Sequence, residues 1–193
     1  TPDQYGTIYC FMIGSLYPVK KKGLIYTLEK EVFGMYADIQ FPEGMVRVYN
    51  IHLESVKLIG EKKLLRPHRN LRAYNNLFNN LKGTYRKLKR AFPARAYQAE
   101  MVAESIRKSP YPVVLTGDFN DTPASYSYRI IKKGLQDAAV GKGSGFHRTY
   151  AESLYPIRID HIFIDNTLNS GYYLKKKVFF SDHFPVIAGF SFK

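Results

Sequence analysis

The 193-residue sequence has one cysteine, no tryptophan and few acidic residues, 16 against 29 lysines and arginines. Cys10 cannot form an internal disulfide, which excludes a small domain held together by a disulfide framework. No apolar stretch approaches the roughly 20 residues that a membrane-spanning helix needs. The absence of tryptophan removes a common anchor at lipid interfaces.

The composition is that of a folded globular protein, with 45% hydrophobic and 15% aromatic residues, which excludes general disorder. The length predicts one domain, spanning 1–193, or one domain and a large piece of another. The chain starts at Thr1 and shows neither an initiator methionine nor a leader pattern. We therefore expect either a removed leader or a piece of a longer protein.

The net charge of +13 is unevenly distributed, because Lys57–Arg95 carries 12 of the 29 basic residues and one acid, Glu61. This segment predicts a basic face that binds either nucleic acid or an anionic membrane surface. The alternative is a helix surface that is merely solvated. Lys20–Lys22 and Lys175–Lys177 either extend such a face or keep loops and edge strands soluble. Apolar residues recur every three or four positions, which predicts a core-facing helical stripe. The stripe consists of Leu71, Tyr74, Phe78, Leu81, Tyr85, Leu88 and Phe92.

Strand patterns occur on both sides of the basic segment. Alternation over Tyr36–Phe41 and Met45–Leu53, joined by Pro42–Gly44, predicts a β-hairpin with Val46, Val48 and His52 on one face. Further strands are predicted at Tyr111–Leu115, before a loop at 116–118, and at Arg158–Ile164, Tyr172–Phe180 and Val186–Phe192. The mixture of strands and helices predicts an α+β or layered α/β domain.

Two helix boundaries follow from prolines and one from a glycine. Pro93 is expected to open a second helix that runs to about Lys108. Thr122 and Pro123 are expected to cap and open a short helix that Gly134 ends. The glycine-rich Gly141–Gly145 lacks the Lys-Ser/Thr ending of a phosphate-binding loop.

Four segments place polar groups near the ends of apolar strands, where sites are commonly built. They are Asn50–Glu54, Gly117–Asn120, Arg158–His161 and Ser181–His183.

If the chain is extended here, Asp118 and Asn120 point to the same side, where a carboxylate and an amide can bind a water and a phosphoryl oxygen together. The alternative for these two residues is a plain Asx turn. In an extended chain the adjacent residues Asp182 and His183 face opposite sides, so that one can hold a metal while the other touches substrate. Asp160 is a candidate to orient the His183 imidazole, and His52 is either a site residue or a satisfied buried histidine.

In their order, Asn-x-His, Gly-Asp-x-Asn, Ile-Asp-His and Ser-Asp-His, these segments resemble the motifs of the endonuclease/exonuclease/phosphatase superfamily, whose fold is that of DNase I. The resemblance extends from about Tyr5 to Phe192 and points to a bacterial member of unassigned substrate. It implies an α/β (α+β) four-layered sandwich of two mixed β-sheets flanked by helices. It also implies hydrolysis of phosphate esters with Mg²⁺ or Mn²⁺.

The resemblance also implies roles for individual residues. His183, held by Asp160, is the general base or the strong phosphate contact. Asp118 orients the attacking water or binds metal, and Asn120 stabilises the pentacoordinate phosphorane. Asp182 contributes to the metal site directly or through water. In the same reading, His52 donates to a phosphate oxygen.

One part of the family pattern is missing from this chain, namely the asparagine of the first strand and a metal-binding glutamate that follows it. Glu29, Glu31 and Glu43 do not stand in a matching context. We therefore expect that ligand to lie upstream of residue 1, in an N-terminal portion that this sequence does not contain.

The substrate is left open among the superfamily's nucleases, phosphatases and lipid phosphodiesterases. The Arg158–His161 motif differs from that of the inositol phosphatases. His52–Ser55 is similar to the segment in tyrosyl-DNA phosphodiesterases, but also to that in bacterial hydrolases of unassigned substrate. The basic 57–95 segment favours a nuclease-like phosphodiesterase acting on a nucleic acid, although a membrane surface is also possible. The alternatives are a phosphatase, a sphingomyelinase-like enzyme, or a non-catalytic polyanion-binding module; no protein partner is inferred.

Overall fold

A computed structural model describes residues 10–55, 71–142, 148–151, 156–178 and 180–193, with the main chain alone for 71–88. It has the α+β composition that the sequence predicts. The elements in chain order are β1 (Val19–Tyr26), β2 (Val32–Gln40), β3 (Met45–His52), α1 (Leu71–Arg107), β4 (Val113–Asp118), α2 (Tyr126–Ile131), β5 (Leu135–Asp137), β6 (Asp160–Asp165), β7 (Leu168–Lys175) and β8 (Val186–Phe192).

Six strands form a mixed sheet in the order β1-β2-β3-β4-β6-β5. Its central pair, β3 and β4, is parallel, and its other pairs are antiparallel. The long helix α1 lies between β3 and β4 in the chain and makes the crossover that a parallel pair requires. Strands β7 and β8 form a second, antiparallel sheet.

The two faces of the six-stranded sheet bury different layers. One face packs against the helices, with Tyr49, Leu115 and Phe163 of the sheet in a cluster with Val102 of α1 and Ile131 of α2. The other face packs against the second sheet, and its cluster contains Val46, Ile162, Leu168 and Tyr173. The described residues therefore supply a helical layer and two stacked sheets of the predicted sandwich. Within them, no helix is long and apolar enough to cross a membrane.

The predicted hairpin is present as β2 and β3, whose turn is closed by hydrogen bonds between Phe41 and Gly44. The sequence patterns did not reveal the outer strands of the sheet, β1 and β5. Strand β1 is hard to recognise because it is an edge strand whose residues are mostly exposed, including Lys20–Lys22. The position of that lysine run agrees with the solubility interpretation of it.

The expectation of a new helix at Pro93 is wrong, since α1 runs from Leu71 to Arg107 with Pro93 in its interior. A proline there removes one main-chain hydrogen bond, yet the helix continues through it to Arg107. The face that is buried is formed by Ala91, Arg95, Ala99 and Val102.

The prediction that the apolar stripe faces the core is wrong for Phe92, the member whose side chain is described, because Phe92 is 51% exposed. The side chains of its other members lie outside the described residues.

Several further element boundaries differ from the prediction. Strand β4 continues through the expected loop as far as Asp118. Helix α2 is capped by Ser125, whose side chain accepts a hydrogen bond from the Tyr128 N–H at 3.1 Å, and not by Thr122. The helix ends at Ile131, and Gly134, with φ of +84°, forms the turn that follows. Strand β7 lies earlier than predicted, whereas β8 has the predicted bounds.

Candidate active site

Strand register brings three predicted side chains to one edge of the six-stranded sheet. Parallel strands β3 and β4 end together, with His52 opposite Asp118. Strand β6 runs antiparallel to β4 and begins at that edge, with Asp160 opposite Asp118. Residues far apart in the chain therefore meet because three strand ends coincide.

His183 joins this group from the segment that precedes β8. Its ring Nδ1 lies 2.9 Å from Oδ2 and 3.2 Å from Oδ1 of Asp160, so the carboxylate accepts a hydrogen bond from the ring. Main-chain bonds from Ala151 N–H to the Asp182 carbonyl and from Phe184 N–H to the Thr149 carbonyl hold the segment, each at 2.7 Å. The structure thus contains the pair of Asp160 and His183 that the sequence suggested.

Asp118 is at the centre of the group. Its Oδ2 lies 3.6 Å from Nε2 of His52 and 4.0 Å from Nε2 of His183. Burial, and next the charge of Asp160, raise the pKa of Asp118 to about 6. The ionised form of this carboxyl is therefore disfavoured, mainly because it is removed from water.

His183 has the opposite electrostatic situation. Its hydrogen bond to Asp160 raises the pKa of the ring to about 9; burial opposes the rise, while the charges of Asp160 and Asp118 add to it. In the absence of a bound cation the ring is thus protonated at neutral pH, and Nε2–H is a donor directed to the Asp118 side of the site.

The expectation of an extended chain from Asp118 to Asn120 is wrong. Asn120 has φ of +49°, and its N–H donates to Oδ1 of Asp118 at 2.7 Å, which is an Asx turn. The Asn120 side-chain amide donates to the carbonyl of Leu53 at 2.9 Å. This bond ties the loop after β4 to the end of β3, and the role of Asn120 toward a phosphorane stays a prediction.

The two remaining predicted residues are placed differently. His52 is half-buried at the site edge and is not a core histidine. Asp182 is exposed, and within the described part of the chain the group able to share a cation consists of Asp118, Asp160 and His183, without Asp182. The charge of Asp182 does reach the site, since it contributes to the raised pKa values of Asp118 and His183. Its role as a metal ligand stays a prediction.

Sequence reasoning missed the residues of α1 that support the site. Arg95 is buried and donates to Oδ2 of Asp121 at 3.2 Å and to the carbonyl of Glu54 at 3.1 Å. Gln98 accepts a hydrogen bond from the Glu54 N–H at 2.7 Å. A usable signal was present, because an arginine flanked at four-residue spacing by Ala91 and Ala99 lies on the small-residue face of the helix.

Most of the Arg158–His161 motif is structural. Arg158 is buried in a two-pronged pair with Asp137, at 3.0 and 2.6 Å. His161 is fully buried, and its Nε2–H donates to the Asp121 carbonyl at 3.0 Å. Of the motif, Asp160 is the residue that joins the cluster able to share a cation, and Thr149 Oγ1 fixes its main chain by accepting from the N–H groups of Ile159 and Asp160.

The donor set fits a divalent cation. One ligand atom each from Asp118, Asp160 and His183 lies within 4.8 Å of the others. Carboxylate oxygens with room for water are the donors that Mg²⁺ and Mn²⁺ prefer. Burial, and next the charge of Asp160, disfavour the ionised form of Asp118, and a bound cation would favour it.

Similar folds occur in solved structures. A Bacteroides thetaiotaomicron mannosyl-6-phosphatase has 21% identity and a TM-score of 0.57, over 91% of this chain and 67% of that one. An endonuclease/exonuclease/phosphatase from Bacteroides vulgatus has 19% identity and a TM-score of 0.61, over 92% and 67%. D. rerio TDP2, complexed with a single-strand DNA product, has 17% identity and a TM-score of 0.59, over 90% and 68%.

This chain thus spans about two thirds of the length of these structures, and the likeness establishes the DNase I-like fold. No curated protein matches it by sequence. The model of the endonuclease/exonuclease/phosphatase family matches residues 5–183, which include all four polar segments. The family unites hydrolases of phosphate esters and is generally dependent on a divalent metal. The chain belongs to the endonuclease/exonuclease/phosphatase family.

Proposed function

We propose that this protein is a Mg²⁺- or Mn²⁺-dependent phosphodiesterase of the nuclease-like kind. The observation that carries the proposal is the cluster of His183, Asp160 and Asp118, in which an oriented imidazole faces a carboxylate across 4.0 Å. Family membership supports the same reaction class.

The positions of the side chains support a division of roles. Two atoms 4.0 Å apart, Nε2 of His183 and Oδ2 of Asp118, can both contact one oxygen atom of a water or a phosphate. Asp160 keeps the His183 ring in orientation by accepting from Nδ1. His52 lies on the other side of Asp118 and offers Nε2 to a second phosphate oxygen.

Hydrolysis then forms a bond from the water oxygen to phosphorus and breaks the bond to the leaving alkoxide. Asp118 orients the water, and His183 neutralises the negative charge that grows on the phosphoryl oxygens. Asp118 and Asp160 would hold a divalent cation, which would supply Lewis-acid stabilisation of that charge. The attacking water gives up a proton to the Asp118 carboxylate, and the leaving alkoxide takes a proton from solvent. Asp118 then returns its proton to solvent, so that the site is restored.

The preference for a polyanionic diester is supported by charge. The net charge is +13, and the basic Lys57–Arg95 segment contributes most of the excess. Phosphates attract such a segment strongly at low salt. The D. rerio TDP2 structure holds a single-strand DNA product, while the similar mannosyl-6-phosphatase has a sugar phosphatase name, so a phosphatase activity is the main competitor.

The test is hydrolysis of a panel of phosphate esters with Mg²⁺, Mn²⁺ or chelator. The panel holds a generic diester, a generic monoester, single- and double-stranded DNA, RNA and a phospholipid. We expect chelator-sensitive turnover of diesters, and a loss of about a hundredfold or more in kcat for His183→Ala. Glu29→Gln, an exposed change in the turn between β1 and β2, is the control and should leave kcat unchanged.

Four results would count against the proposal. Turnover that survives His183→Ala would exclude the mechanism, and turnover that survives chelation would exclude the cation. Preferential turnover of monoesters would replace the phosphodiesterase by a phosphatase. Absence of turnover on every ester, together with retained nucleic-acid binding, would point to a binding module.

A further inference from the structure

The second lysine run returns to the edge of the molecule at which the active site lies. Strand β6 begins at the site with Asp160 and runs away from it. After a two-residue turn, β7 runs back and ends at Lys175. Lys175 pairs with Val186, and the Lys176 N–H donates to the Pro185 carbonyl at 3.1 Å. The run therefore lies beside the segment that carries His183.

Arg148 reaches the same place from another loop. The loop of residues 148–151 is hydrogen-bonded to 182–184, and the ring of Tyr150 lies 5.1 Å from the ring of His183. Arg148 Nε donates to the Tyr150 carbonyl at 2.8 Å, and its Nη2 donates to the Ala151 carbonyl. These contacts use Nε and Nη2 of the guanidinium, whose fork carries five N–H donors in all.

Lys175 is positioned by an aromatic ring. Its Nζ lies 5.5 Å from the centroid of Phe184, the residue that follows His183. Contact with a ring face directs the ammonium group along that surface.

Among the described residues, no ion pair neutralises the three cations Arg148, Lys175 and Lys177. In the described part of the chain none of them has a carboxylate within 4.0 Å. Burial lowers the pKa of Lys175, and the charges of Lys177 and Arg148 lower it further. The charges of Lys177 and Arg148 thus act on Lys175, and a group of like charges creates a positive field that favours an anion.

We propose that Arg148, Lys175 and Lys177 form an anion subsite beside His183 that binds a second phosphate group of the substrate. The enzyme then prefers esters that carry another phosphate close to the bond that is cleaved. This inference rests on the proposed function for its kinetic consequence. The subsite itself can be tested by binding alone.

The kinetic experiment compares two substrates in one pair of variants. The substrates are the p-nitrophenyl ester of thymidine 5′-monophosphate and the same ester with an added 3′-phosphate. The variant is Lys175→Gln/Lys177→Gln, which leaves Arg148 to anchor its loop. The control is Lys20→Gln/Lys22→Gln, which removes the same charge from the exposed edge strand β1.

We expect the parent protein and the control to favour the substrate with two phosphates. In Lys175→Gln/Lys177→Gln, kcat/KM for that substrate should fall by about tenfold or more, mainly through KM, with little change for the simpler ester. An equal loss on both substrates, or no loss on either, would overturn the subsite.

A second arm identifies the source of the added phosphate. Phosphatidylcholine vesicles with and without phosphatidylinositol 4-phosphate are offered to the same three proteins. Lysine-dependent hydrolysis of the phosphorylated lipid, without a preference for the nucleotide bisphosphate, would assign the second phosphate to a lipid headgroup. The reverse result would assign it to a nucleotide.

Direct binding separates failure of the subsite from failure of the proposed function. The amide NMR signals of Arg148, Lys175 and Lys177 are followed during titration with inorganic phosphate at constant ionic strength. The subsite is supported if saturable shifts occur in the parent and in Lys20→Gln/Lys22→Gln, while the Arg148 signal does not shift in Lys175→Gln/Lys177→Gln. This conclusion holds even if no ester is hydrolysed. Turnover without such shifts in the parent would overturn the subsite while the proposed function stands.

Discussion

Arg95 Nε lies 3.2 Å from Oδ2 of Asp121, and this contact joins the long helix α1 to the loop that follows strand β4. The same guanidinium donates to the Glu54 carbonyl, just beyond His52. One buried cation thus connects the ends of β3 and β4, the two strands whose termini carry His52 and Asp118. The geometry of the site depends on this connection, although Arg95 itself touches none of the reacting positions.

Replacing Arg95 with methionine should destabilise the protein strongly. The buried guanidinium is lost, and the carboxylate of Asp121 and the carbonyl of Glu54 lose their partner. We expect the free energy of unfolding in urea to fall by about 3 kcal/mol. Arg129→Met, on the exposed face of α2, is the matched control and should change it little. An equal effect of the two substitutions would show that the connection through Arg95 contributes nothing.

Replacing Gly117 with alanine should disturb the central strand pair. A Cβ at this position would collide with the main-chain carbonyl oxygen of Ile51, which belongs to the neighbouring strand β3 and cannot rotate away. We expect a loss of about 2 kcal/mol or more in the free energy of unfolding. Gly14→Ala, where a Cβ would meet open space, is the control. A Gly117→Ala protein as stable as that control would contradict the close approach of the strands.

Replacing Asp160 with asparagine should release His183. The hydrogen bond from Nδ1 to this carboxylate is the largest cause of the raised pKa of His183, about 9. The pKa measured by NMR titration in chelator should therefore fall toward the ordinary value of about 6.5. We also expect kcat on a diester to fall by about a hundredfold. If the pKa of His183 stays near its parent value, Asp160 does not hold the ring as described.

His161 should make the protein sensitive to mild acid. Burial, and next the charge of Arg158, lower the pKa of its ring to about 4, below the ordinary value of about 6.5. Because the unfolded chain takes up a proton first, the stabilising contribution is complete above about pH 6.5 and is lost as the pH falls toward about 4.

The test compares the parent protein with His161→Gln, in which the amide can still donate to the Asp121 carbonyl that His161 contacts. Urea unfolding is measured at several pH values between about 7.5 and about 4. The parent should lose free energy of unfolding more steeply than the variant over that interval. Asp118, whose raised pKa acts in the opposite direction, is the same in both proteins and cancels in the difference. Parallel curves would show that the buried ring does not titrate as described.

The sequence could predict the elements whose signals are local. Alternating apolar residues and a turn were sufficient for the hairpin of β2 and β3, and β8 has the bounds that its pattern indicated. Local signals failed where packing decides the outcome. Helix α1 continues through Pro93, and its buried face contains Arg95, which a count of apolar residues assigns to the surface.

For the candidate site, too, some properties follow from the sequence and others only from the tertiary structure. The sequence by itself determined which side chains are available: a histidine at the end of a strand, a Gly-Asp-x-Asn turn, and an aspartate and a histidine that could pair. The tertiary structure decided their distances, because the register of β3, β4 and β6 brings His52, Asp118 and Asp160 to one edge.

The tertiary structure also decided which polar residues serve stability. Arg158 and His161 flank Asp160 in the chain, yet both are buried, one against Asp137 and the other against the Asp121 carbonyl. Sequence spacing cannot reveal this, because the partners of both residues come from other segments. Burial and partner geometry, which set the pKa values and charges of the site, arise only when the sheet has formed.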